Sequence, residues 1–173
     1  GTTGSLFGFA NGGGSDAWRA QAFAAALGNP MAAPDATVLD ETDRARLRTA
    51  RDLGSLQSPQ DWEDGFQALA AVALPMVPSG HGPVLDAFLA SPAMSQALTR
   101  APAHIQARVG LLRRVARWDL DGLRTEGLRV LDNPAWARTD PALHLYALAT
   151  ASAVCLASRP GDAGCERALT ALD

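Results

Sequence analysis

The chain contains no lysine; its fifteen basic side chains are all arginine. Schiff-base lysine chemistry is thereby excluded, and so is the phosphate-binding lysine of an ordinary Walker-type nucleotide site. Every side-chain cation other than histidine is a planar guanidinium suited to bidentate pairing with carboxylates. Histidine is scarce as well. His81, His104 and His144 are far apart and never at the i, i+4 spacing of helical metal ligands, so neither a zinc motif nor a metal or other cofactor is expected. Aromatic residues make up 6% of the chain, and no basic stretch is interleaved with them in the manner of a nucleic-acid stacking surface. Long apolar runs are missing too. The longest, 142–157, is interrupted by His144, Thr150 and Ser152 and falls short of the ~20 residues that cross a bilayer, so no membrane span is expected. No signal peptide is visible; because the first residue is glycine and not methionine, the expectation is a trimmed chain whose upstream signal, if any, leaves no trace here.

What is present fits a folded domain. Of 173 residues, 47% are hydrophobic and 19% charged, with a net charge of −3. A chain of this length buries roughly two-thirds of its unfolded surface without help from metal or disulfide. Thirty-five alanines beside the lysine-free arginine set are the composition expected from a GC-rich genome. The two cysteines, Cys155 and Cys165, flank the turn signal Arg159-Pro160-Gly161-Asp162 and fit no CxxC motif. Two readings stay open: a disulfide across a helix hairpin, which would imply an oxidising, periplasmic or exported compartment, and a pair of buried thiols compatible with the cytoplasm.

Residues 1–15, dominated by Gly, Ser and Thr, read as a flexible extension or an added fusion linker. One apolar island, Leu6, Phe7 and Phe9, lies in it, and Gly12-Gly13-Gly14-Ser15 is a tether that would let the island dock into a groove as a tethered peptide. From Asp16 to the end, the spacing predicts a single all-α domain, because apolar residues recur every three or four positions and alternating β-branched runs are absent. Helices are expected over 17–27, about 38–53, from Pro59 to about Pro75, 83–90, 92–99, 102–117, 120–131 and 141–158, with a last one directing Cys165, Leu169 and Leu172 inward. Ser58-Pro59, Ser91-Pro92 and Asp140-Pro141 are start signals, a capping side chain followed by proline at the first helical position. The segment 141–158 is apolar nearly all round and should be central to its packing layer. Grouped as seven or eight helices in antiparallel hairpins, these segments make either a compact bundle or a short tetratricopeptide-like solenoid. Against a regular array, Ser152 stands where that repeat places an aromatic, and the 33-residue step from Ser58 to Ser91 does not recur.

Functional signals are sparse. Seven arginines lie between Arg100 and Arg129 against three acids, a local charge of +4, yet Asp119, Asp121 and Glu126 are at hand to pair with them, so nucleic acid is not the expected partner. Elimination leaves a non-enzymatic module that binds a protein or peptide between helical hairpins. Arg113, Arg114 and Arg117 would form the rim, Trp118 and Trp136 would line the groove, and Leu6, Phe7 and Phe9 would be the tethered ligand. An adaptor or pilotin-like component of a bacterial envelope or secretion assembly is compatible with this. Core packing is the competing expectation for all four tryptophans, Trp18, Trp62, Trp118 and Trp136. The alternative function is a small helical enzyme or ligand carrier centred on His81, whose flanking Gly80 and Gly82 permit unusual backbone angles and close approach of a ligand.

Overall fold

A computed structural model describes residues 14–29, 31–158 and 161–172, and these are all-α: ten α-helices, one 3-10 turn and no strand among the described residues. Two compact units divide the chain, residues 1–106 and 107–173, the division falling inside the sixth helix.

The first unit holds α1 (Gly14–Gly28), α2 (Glu41–Arg51), the 3-10 turn Leu53–Ser55, α3 (Pro59–Met76), α4 (Gly82–Leu89), α5 (Pro92–Leu98) and the start of α6 (Ala103–Ala116). Its helix boundaries follow side-chain chemistry. Asp40 accepts from the Asp43 amide at 2.8 Å and starts α2, while Ser58 and Asp61 form a reciprocal capping box under Pro59 at the head of α3. Ser91 accepts from the Met94 amide and caps α5 behind Pro92. Helix α1 packs on α3 and α4, and α2 packs on α3. Phe23, Leu39, Leu47, Trp62, Leu69, Met76 and Leu85 are fully buried between them. Each such large apolar side chain contributes roughly 1.5–3 kcal/mol by leaving water.

The second unit holds the rest of α6, then α7 (Leu120–Leu131), α8 (Pro134–Thr139), α9 (Pro141–Ser158) and α10 (Ala163–Leu172). Helix α9 is its centre, as the apolar composition implies, with α7, α8 and α10 all packed on it. Leu111, Val130, Leu143 and Ala147 form one core cluster, and Leu148, Ala151 and Ala168 a second. Gly127 lets α7 approach closely: a Cβ there would lie 2.8 Å from the Ala147 carbonyl oxygen. Cys155 and Cys165 are joined in a disulfide, with Cα atoms 5.1 Å apart, that ties α10 to α9. Asp140 is buried, accepts from the Leu143 amide to start α9 and pairs with buried Arg108. No helix is long and apolar enough to cross a membrane among the described residues.

Candidate functional site

An open cavity of about 450 Å³ lies in the first unit, between α1 and the connector that follows it. Trp18, Ala22 and Ala25 supply the helix wall, and Ala33, Thr37 and Val38 the connector wall. Small side chains make the hollow. On α1, Phe23, Ala26 and Leu27 turn into the core, while Ala25 is exposed and the Trp18 indole is 63% exposed at the rim. The surface is therefore mostly apolar with one large aromatic edge, the composition of a small peptide or ligand groove.

The connector wall is held from behind. Arg51, in the last turn of α2, donates to the carbonyls of Ala26 at 2.9 Å, Asn29 at 3.3 Å and Ala32 at 2.7 Å. One guanidinium thus fixes both edges of the groove, a task for several directed donors that a lysine could not copy. At the mouth, Asp35 accepts from the Thr37 hydroxyl at 2.6 Å and from its amide at 2.9 Å. Those two bonds hold the Asp35 carboxyl below the usual range, so the rim carries a fixed negative charge at neutral pH. Arg19, one residue beyond Trp18, forms a two-pronged pair with buried Asp43 at 2.9 and 3.0 Å and anchors α1 to α2. Asp43 is thus structural.

The sequence-predicted residues are placed as follows. Leu6, Phe7 and Phe9 lie outside the described residues. Trp118 is 68% exposed at the junction of α6 and α7 and has φ 54°. Arg113, Arg114 and Arg117 surround that junction, Arg114 pairing with Asp119 at 2.8 Å. Trp136 is on α8, packed against the cluster of Leu111, Val130 and Leu143, with the Arg129 guanidinium 5.7 Å from its ring centre. Of the tryptophans, Trp62 is buried in the core, whereas Trp18 and Trp118 are exposed and depart from the core-packing expectation. Several arginines of the basic stretch are engaged: Arg108 with Asp140, Arg124 with Asp162, Arg129 with Glu126.

The His81 loop has a structural explanation. Its backbone forms a helix-ending motif in which the His81 amide donates to Met76 O at 3.0 Å and the Gly80 amide to Val77 O at 3.2 Å. Gly80, at φ 86°, is the left-handed residue that motif requires. The α1 groove was not legible from motifs; its signal was negative, the small side chains of Ala22, Ala25, Ala32 and Ala33 around one large one, Trp18. No family model matches the chain, and no curated protein or solved structure is detectably similar to it.

Proposed function

We propose that this chain is a non-enzymatic helical module that captures an apolar peptide in the groove between α1 and its connector. The observation that carries this reading is the exposed Trp18 at a hollow lined mostly by alanine and valine, with Gln21, Asp35 and Thr37 as its polar side chains. Binding energy would come from burying the indole and one or two large apolar side chains of the ligand, roughly 1.5–3 kcal/mol each before ordering costs. Asp35 on the rim would favour a neutral or basic ligand over an acidic one. The disulfide supports an oxidising, exported compartment, the setting that an adaptor role in an envelope or secretion assembly would require. A displayed library of short peptides, selected on the intact chain and re-measured on Ala25→Glu, tests the reading. Glutamate at this exposed helical position keeps helix propensity and fills the groove with charge. Selected peptides should be apolar and should lose at least about tenfold in affinity on the variant; peptides indifferent to it would contradict the assignment.

A further inference from the structure

We propose that the outer face of α9 is an interface on which two copies of this chain pair antiparallel, about a two-fold axis through Ala149. The surface belongs to the second unit and is independent of the α1 groove. Helix α9 has the composition of a helix covered on every side. Its sequence, Pro141–Ser158, holds no Asp, Glu, Lys or Arg, and a helix apolar all round is ordinarily enclosed all round. Helices α7, α8 and α10 cover part of it, and Leu143, Ala147, Ala151 and Cys155 are buried. Among the described residues, the opposite side stays open. Leu145 and Leu156 are 64% and 66% exposed, Ala142 is exposed, and Ala149 and Ala153 are half-buried. At about 100° per residue these five positions fall within about 80° of one another, so they form one continuous apolar stripe.

The stripe's dimensions, charge and order of side chains identify the occupant. From 142 to 156 it runs about 21 Å along the axis and is one helix wide, which suits a single packed helix. It offers no charge to an acidic or basic partner, and two copies meeting there bring no like charges together. The order of sizes then selects the copy. The steps between the five positions are three, four, four and three residues, a palindrome centred on Ala149. Antiparallel pairing about that residue sets Leu145 opposite the second copy's Ala153 and Leu156 opposite its Ala142, large against small at each level, as close packing requires. Parallel pairing would set leucine on leucine and leave the alanines facing a gap. Alanine at the axis lets the two helices approach to about 8 Å, and a contact of this symmetry closes at two copies. Area decides the strength. A stripe of this length and about 10 Å width gives roughly 200 Å² per copy, against about 800 Å² per partner in a standard stable complex, so the pair is reversible, with a Kd on the order of 0.1 mM.

Sedimentation velocity of the intact chain from about 10 μM to about 1 mM tests the pairing, with Leu145→Glu and Ala153→Arg as single variants. Wild type should pass from monomer to dimer across that range. Each variant alone should associate at least about tenfold more weakly, because a charge is buried against an apolar side chain. Mixed in equal amounts, the two should regain dimer formation, since the new carboxylate of one copy faces the new guanidinium of the other. Leu156→Glu with Ala142→Arg repeats the exchange at the other leucine–alanine level and serves if either first variant melts below wild type. Wild type that stays monomeric at the highest concentration, a dimer that Leu145→Glu and Leu156→Glu leave intact, or folded variants that remain monomeric when mixed would each overturn the proposal.

Discussion

Two helices end with the same hydrogen bonds and different residues at the left-handed position. After α3 that residue is Gly80; after α6 it is Trp118, where the Asp119 amide donates to Arg114 O at 2.9 Å and the Trp118 amide to Val115 O at 3.0 Å. A side chain there costs roughly 1–2 kcal/mol, and this one recovers little by burial because it is 68% exposed. Trp118→Gly should therefore stabilise the protein by about 1 kcal/mol, raising the melting temperature by roughly 2–4 °C. A fall in melting temperature would show that the fold itself uses the indole. Arg108 presents the opposite case. It is 6% exposed and Asp140 4%, so Arg108→Met strands a buried carboxylate and should cost about 3–5 kcal/mol, read as a lower urea midpoint. The sequence shows both residues plainly, yet neither role follows from it, since Arg108 and Asp140 are 32 positions apart and meet only in the folded unit.

At the scale of elements, caps and close approaches set the boundaries. Gly110 and Gly127 both lie inside helices, where alanine is favoured by up to about 1 kcal/mol. Gly110 has open space around its missing Cβ, so Gly110→Ala should stabilise; at Gly127 the new methyl would meet Ala147 O at 2.8 Å and Ala151 Cβ at 3.0 Å. Gly127→Ala should push α7 off α9 and destabilise by about 1–3 kcal/mol, and the contrast in urea midpoints checks the packing directly. Asp119 caps α7 through the Gly122 amide at 2.9 Å. That bond, and after it Arg114, hold its carboxyl below the usual range. A lowered folded value means its stabilisation is full above the unfolded value of about 3.9 and is lost as pH falls through the folded one. Asn keeps the oxygen that accepts from Gly122, so the melting-temperature gap between wild type and Asp119→Asn reads the charge alone and should be present at pH 6 and close as the solution is acidified toward pH 2; a gap unchanged at low pH would refute the contribution of that charge. The Ser-Pro starts at α3 and α5 were legible because a cap acts within four residues. Helix α8 was not, because Asp132-Asn133-Pro134 reads equally as a stop and a start, and six residues give no periodicity to decide between them.

For the whole molecule, the all-α class follows from spacing alone, and the disulfide was one of two readings that local geometry then decided. The bond closes a short loop between α9 and α10, so Cys155→Ala/Cys165→Ala should cost about 2–3 kcal/mol, with wild type under strong reductant melting close to the double variant. Wild type insensitive to reductant would contradict that share of stability. The groove was hidden for the converse reason: it is made by what alanines leave empty and by an arginine clamp 19 to 25 residues away, neither of which has a local pattern. Peptide capture on α1 is the central claim, and nuclear magnetic resonance of the intact chain with a library-selected peptide tests it most directly. The account predicts that the Trp18 indole proton and the methyl signals of Ala22, Ala25 and Val38 shift together and saturate at one peptide per chain. Shifts gathered instead around Trp118 and Arg117, with Trp18 unmoved, would contradict it.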